Sequence, residues 1–274
     1  MNKKLWISAL LMGFGIIGMG LYSGLTVRSY KLEMDDVPLG SSVKIVVLTD
    51  LHSTQYGNNQ KKLLRLIGAE KPDAIMLVGD IVDDHRPVEG TKFLLEGLKD
   101  KVPMFYVTGN HEHNIRNLDQ VKDFLRSYGV QVLEEEYAKF RVGGMQLIVA
   151  GMSDPYKKYP FVKEFYRLSE KVSKEKGIKI LLSHRPEYIP LYEKGGYNLV
   201  LSGHAHGGQV RIPYVLNGLY SPGQGFFPKY AGGYYKMEAD TNFIVSRGLS
   251  IYKALPRIFN PPEVVAITIT GKEK

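Results

Sequence analysis

The 274-residue chain has no cysteine. Disulfides, thiolate metal sites and cysteine nucleophiles are therefore excluded, and any metal site must use nitrogen and oxygen donors. Acidic residues are in deficit: 28 Asp and Glu against 36 Lys and Arg leave a formal net charge of +8. That surplus suits an anionic surface such as lipid headgroups or wall polymers. Nucleic acid is not expected as a partner, because neither a recognised nucleic-acid module nor a stacked aromatic array is present. Internal repeats are missing, and so is a twin-arginine signal, since the leading basic pair is Lys3-Lys4.

Charge is also missing from Leu5 to Leu25, 21 residues rich in Leu, Ile, Met and Gly. At 1.5 Å per residue, a helix of that length covers about 30 Å, the thickness of a bilayer core. The stretch exceeds the roughly 7–15 apolar residues of a cleaved signal peptide, and no A-x-A site follows it. Residues 1–25 are therefore expected to form a retained transmembrane anchor. Lys3 and Lys4 precede it, while Glu33, Asp35 and Asp36 dilute Arg28 and Lys31 behind it. The positive-inside rule then puts the amino terminus in the cytoplasm and the body of the chain beyond the membrane. Residues 26–42, polar and ending in PLGSS, read as a linker, and residues 43–274 as one folded domain.

Within that domain, short apolar runs alternate with amphipathic segments. VKIVVLT (43–49), AIMLV (74–78) and MFYV (104–107) predict buried strands, with helices over 59–70, 88–98 and 118–128 between them. Gly143-Gly144 marks a hairpin between 140–142 and 145–150. A basic helix over 161–176 precedes strands at 179–182 and 198–201, and 234–238, 242–246 and 264–270 complete the set. The pattern is that of an α/β domain built from two packed sheets with helices outside.

Each of five strands ends in polar residues of one kind. The tips read Asp50-Leu51-His52, Gly79-Asp80-Ile81-Val82-Asp83, Gly109-Asn110-His111-Glu112, Ser183-His184 and Gly203-His204-Ala205-His206. Ligands in open α/β sheets bind at the carboxyl ends of strands, so these tips can converge. Asp50, His52, Asp80, Asn110, His184, His204 and His206 would then supply seven oxygen and nitrogen donors. That is too many for one tetrahedral ion and suits two ions sharing a carboxylate, which Asp80 can provide. Mn, Fe, Zn and Co all fit such a donor set. His85 and His113, beside the motifs, read as solvated loop histidines.

In that order the motifs DLH (50–52), GDIVD (79–83), GNHE (109–112), His184 and GHAH (203–206) resemble the signature of the calcineurin-like metallophosphoesterases. GHAHGGQ (203–209), FPKYAGGYY (227–235), SRGL (246–249) and FNPPE (259–263) resemble its bacterial membrane-associated YkuE/YaeI-like phosphodiesterase branch. The resemblance implies a four-layer α/β/β/α sandwich of two mixed sheets. It also implies one metal on Asp50, His52, Asp80 and His206, and a second on Asp80, Asn110, His184 and His204. His111 would be the catalytic histidine, with Asp83 polarising or orienting it.

The expected activity is phosphoric ester hydrolysis, as a metal-dependent phosphodiesterase, by a metal-bridging hydroxide attacking phosphorus in line. Expected substrates are phosphate esters of a lipid or a cell-wall polymer, met by a single-pass bacterial membrane protein with an extracytoplasmic catalytic domain. The segment Tyr220 to Tyr235 reads either as a rim over the site or as a packed structural loop. A UDP-2,3-diacylglucosamine-type lipid pyrophosphatase and an inactive metal-bound scaffold are the alternatives. The inferred topology argues against the first, and the complete ligand set argues against the second.

Overall fold

The computed structural model describes residues 18, 20–156, 160–237, 240–251 and 255–272. Its first strands are β1 (Thr26–Met34), β2 (Ser42–Leu48), β3 (Ala74–Val78), β4 (Met104–Val107) and β5 (Val130–Val132). Next come β6 (Glu136–Val142), β7 (Met145–Met152), β8 (Ile178–Ser183) and β9 (Leu199–Ser202). A small hairpin pairs β10 (Tyr220–Ser221) with β11 (Gly225–Phe226), and β12 (Gly233–Lys236), β13 (Asn242–Val245) and β14 (Glu263–Gly271) follow. The helices used below are α1 (Lys61–Glu70), α2 (Glu89–Leu98), α3 (Asn110–Asn114), α4 (Leu118–Ser127) and α5 (Phe161–Ser173).

Two six-stranded mixed sheets result, ordered β1-β14-β2-β3-β4-β5 and β12-β13-β9-β8-β7-β6. Alternation along each strand assigns the layers. Val47, Met76, Val78 and Phe105 of the first sheet meet Leu147, Val149, Ile180 and Leu201 of the second in one core. The intervening Val46, Leu48, Ile75 and Leu77 face outward under Leu63, Leu94 and Leu125 of α1, α2 and α4. Ile148, Leu181 and Val200 pack under Phe165, Leu168 and Val172 of α5. The chain is thus a four-layer α/β/β/α sandwich, as expected. Strands carrying apolar residues on both faces are the physical reason, because each sheet needs a cover on both sides.

The expected linker is corrected. Residues 26–34 form β1, an edge strand parallel to β14, with Thr26 opposite Glu263 and Met34 opposite Gly271. Leu32 and Met34 point into the core, whereas Lys31 and Glu33 on the opposite face are exposed to solvent. Charges on the open face of an edge strand blunt pairing with other chains. Those same charges make the segment read as a polar stalk. Only the turn around 35–41, where the Ser41 amide donates to the Pro38 carbonyl at 3.1 Å, connects β1 to β2. Among the described residues no helix is long and apolar enough to cross a membrane. The expected anchor falls mainly on residues 1–17 and 19, outside the described residues.

Candidate metal centre

Parallel pairing of β2, β3 and β4 puts Leu48 beside Leu77 and Val78 beside Val107, so their carboxyl ends finish side by side. The β8 and β9 tips face them from the second sheet. Backbone bonds tie the loops together: the Asp50 amide donates to the Gly79 carbonyl at 3.0 Å, and the His52 amide to the Asp80 carbonyl at 2.9 Å. Across the sheets, the His204 amide donates to both Asp50 carboxylate oxygens at 3.1 Å. The five tips therefore converge. Asp50, His52, Asp80, His184, His204 and His206 are all buried, and Asn110 is half-buried at the start of α3.

The backbone is unusual at these positions. Asp50, His52, Asp80, His204 and His206 have φ of 50°, 46°, 53°, 66° and 47°. Left-handed φ costs a non-glycine residue of order 1 kcal/mol or more, and concentrates where function requires it. Turning each chain end this way aims successive ligands inward from a short tip. Gly203 belongs to the same device. A Cβ there would lie 2.5 Å from Asp50 Oδ2, so no larger residue fits behind the carboxylate.

Asp50, His52 and His206 form one cluster with ligand atoms within 4.8 Å of one another, and Asp80, His184 and His204 form a second. Asp80 Oδ2 faces His184 Nε2 at 3.2 Å and His52 Nε2 at 3.6 Å, placing one oxygen between the two clusters. Asp50 Oδ1 faces His206 Nε2 at 3.3 Å and His184 Nε2 at 3.9 Å. Asn110 Oδ1 is buried without a hydrogen-bond partner. An orphaned acceptor beside converging imidazole and carboxylate donors fits divalent metal ions. Six of the seven expected ligands fall in the two clusters, and Asn110 precedes His111, whose amide donates to Asp80 Oδ1 at 2.9 Å.

Supporting hydrogen bonds set the tautomers. His184 Nδ1 lies 2.9 Å from the Val78 carbonyl, an obligate acceptor, so Nδ1 carries the proton and Nε2 is the donor atom to a metal. His52 Nδ1 likewise donates to Asp83 Oδ2 at 3.0 Å. Asp83 therefore orients His52, an expected metal ligand, rather than His111, from which it stands 3.9 Å away. The partner of His111 is Asp84, with Nδ1 to Oδ1 at 2.7 Å. The residue count along the loop after β3 could not reveal this exchange. His113 is not a solvated loop residue: it stacks on Tyr156 at 5.3 Å and bonds Thr108 Oγ1 at 3.1 Å. His85 is exposed, as expected.

Glu112 is the main residue that sequence reasoning passed over. Fully buried, it accepts from the amides of Asp80, Ile81, Val82 and Gly109 at 2.6–3.0 Å. It thereby clamps the β3 and β4 tips to each other. The final position of the GNHE motif was the available signal, since a carboxylate two residues after an expected ligand needs donors if it is buried.

Electrostatics follow from packing acids and imidazoles together. Burial alone would raise Asp80, but His184, then His52 and His111, hold its carboxyl well below the usual range. Burial alone would lower His184, yet Asp80, with Asp50 behind it, pushes the imidazolium up to about 10. Burial and then the Asp80 charge push Glu112 up to about 7. Burial of Asp83 is outweighed by bonds from His52 and the His85 amide, which bring it down to about 2. Asp80 and Asp50 thus hold positive charge on His184, the place a metal cation would take.

The Tyr220 to Tyr235 segment divides. Its β10–β11 hairpin is tied to the ligand loop through the Leu219 amide and the Gly208 carbonyl at 2.9 Å, and Phe226 and Phe227 stand exposed. Tyr230, by contrast, packs against Phe243.

Residues 43–208 match the calcineurin-like phosphoesterase family. The chain is 30% identical over 266 residues to an uncharacterized metallophosphoesterase of Aquifex aeolicus, covering 93% of this chain and 97% of that relative. It is 28% identical over 253 residues to the uncharacterized metallophosphoesterase YkuE of Bacillus subtilis, covering 89% and 85%. Similarity to the metallophosphoesterase Cj0846 of Campylobacter jejuni is 29% over 252 residues. There the match covers 90% of this chain but 64% of the relative, so the chain spans less than two thirds of that relative's length.

Proposed function

Since the chain belongs to the calcineurin-like phosphoesterase family, we propose that it is a dinuclear metal-dependent phosphoesterase acting on phosphodiesters of the membrane or cell envelope. The observation that carries this reading is the single Asp80 oxygen facing His184 at 3.2 Å and His52 at 3.6 Å between two ligand clusters. Two divalent ions bound there would neutralise the phosphoryl oxygens and acidify the attacking water.

The chain's own residues do the rest. Asp50 and Asp80 offset about two of four positive charges, so the loaded site keeps a surplus that draws a phosphate ester. Asp83 fixes His52 and the Val78 carbonyl fixes His184, each with Nε2 turned to the centre. His111, edge-on to the His52 ring at 4.3 Å, stands at the entrance with 23% of its side chain exposed. Asp84 occupies its Nδ1, so the proton it donates to a leaving oxygen sits on Nε2. Placement of the domain on the outer face of a membrane is supported by the uncharged stretch Leu5–Leu25 behind Lys3-Lys4.

The test is hydrolysis of bis-p-nitrophenyl phosphate and p-nitrophenyl phosphate by the full chain, stripped of metal and resupplied with Mn, Zn, Fe or Co. Metal-restored cleavage that Asp80→Ala abolishes is expected, with the diester preferred. A chain that binds two ions and cleaves neither ester would overturn the reading.

A further inference from the structure

Behind the ligand loops lies a cavity of about 530 Å³ lined by three arginines, Arg28 of β1, Arg211 and Arg247, together with Phe259. These residues come from distant parts of the chain. Arg247 follows β13 and is held by Glu263, to which its Nε donates at 2.5 Å. Neither Arg28 nor Arg211 has an ion pair among the described residues. Arg211 gives Nη2 to Asn217 Oδ1 at 2.5 Å, while its Nη1 is buried without a hydrogen-bond partner. Three guanidiniums against one carboxylate leave a surplus of about two positive charges in a recess. Such a group costs stability unless an anion completes it.

The rim of the cavity is apolar. Ile212 to Leu216 forms a tight turn, closed by the Ile212 amide to the Leu216 carbonyl at 3.0 Å. At its tip Tyr214 has φ of 64° and is fully exposed, and Val215 beside it is 80% exposed. A strained turn that displays an aromatic and a β-branched side chain to water leaves both uncovered by the described residues. Gly20 meets the same spot: the Phe259 amide donates to the Gly20 carbonyl at 2.7 Å, and the Phe259 ring packs against Gly20.

We propose that the Arg28–Arg211–Arg247 cavity binds the phosphate headgroup of an anionic phospholipid, while the Tyr214–Val215 tip enters the acyl region of the same leaflet. Charge complementarity selects the phosphate, the exposed tip selects an amphiphile over a free ion, and the Gly20–Phe259 contact puts Gly20, which belongs to the apolar sequence Leu5–Leu25, against a residue of the cavity lining. Lipid binding here would orient the metal centre at a fixed height over the bilayer. The proposal shares the membrane placement given above but not its hydrolytic chemistry.

The experiment titrates the full chain, metal-loaded and in nonionic micelles, with dihexanoyl phosphatidylglycerol, dihexanoyl phosphatidylcholine and inorganic phosphate. Saturable binding of one phosphatidylglycerol per chain is expected, with phosphatidylcholine bound at least about tenfold more weakly. The double variant Arg28→Gln/Arg211→Gln should weaken phosphatidylglycerol binding by about tenfold or more, the equivalent of one lost charge-assisted contact. Tyr214→Ser/Val215→Ser should weaken it several-fold. Both variants should keep their hydrolysis of the nitrophenyl esters, which shows that they fold. Equal binding of the two lipids, or an arginine variant that binds phosphatidylglycerol as wild type does, would overturn the site. Inorganic phosphate binding as tightly to the same arginines would overturn the lipid assignment, and loss of lipid binding in Asp80→Ala would move the lipid to the metal centre. Lipid binding and ester hydrolysis are read separately, so an inactive chain that still binds lipid sinks the hydrolase reading alone.

Discussion

Replacing Asp84 by asparagine removes the carboxylate that holds His111 Nδ1 at 2.7 Å and keeps a side chain of nearly the same shape. A hydrogen bond to a charged group contributes about 1.5–3 kcal/mol. His111 is 23% exposed and has Asp83 Oδ2 in reserve at 3.9 Å, which argues for the lower end. A loss of about 1.4–2 kcal/mol corresponds to roughly ten- to thirtyfold in kcat. Metal content should be unchanged, because Asp84 supports no expected ligand. Asp83→Asn should behave differently. It removes the partner of His52 Nδ1, and losing such a support typically costs about 10–100-fold in metal affinity. Rates of nitrophenyl ester hydrolysis at saturating metal, set against metal content by elemental analysis, separate the two. If Asp83→Asn slowed catalysis with both metals in place while Asp84→Asn did nothing, the assignment of partners would be wrong.

Glu112→Ala leaves four buried backbone amides without their acceptor, so unfolding in urea should show a loss of at least about 4 kcal/mol. A loss below about 1 kcal/mol would mean that water replaces the clamp. In the metal-free protein His184 is pushed up to about 10, so its proton is bound at neutral pH and a metal must displace it. Affinity should therefore rise as pH approaches that value, by about tenfold per unit for each proton displaced. Calorimetry in two buffers of different ionisation enthalpy counts those protons, and a count of zero would refute the charge assignment. Chains beginning at residues 26 and 36 differ by β1, whose Leu32 and Met34 are each about 6% exposed. At about 1.5–3 kcal/mol per buried side chain, the shorter chain should be about 3–6 kcal/mol less stable. Equal denaturation midpoints would restore the linker reading.

The candidate ligand set was readable in the sequence because metal-binding chemistry needs particular side chains at strand ends, and both the strands and their ends are local features. Val47-Leu48-Thr49 before Asp50 and Leu199-Val200-Leu201 before His204 announce their tips within a few residues. The four layers followed from the same runs, since strands apolar on both faces need covers on both sides. β1 was not readable in this way. As an edge strand it has one buried face, and Lys31 and Glu33 on the other mask its alternation. Glu112 was quoted within its motif, but its role depends on where four amides from two loops point. The choice between Asp83 and Asp84 turns on about an ångström of loop path, which residue spacing does not encode. The arginine cavity is the extreme case: residues 28, 211 and 247 meet only because β1, the loop after the histidines and β13 are folded against one another. Sequence alone determined which chemistry the strand tips offer, because that resides in side-chain type and local pattern. Tertiary structure alone decided which groups hold which, because hydrogen bonds and charge act over a few ångströms between residues that the chain keeps far apart.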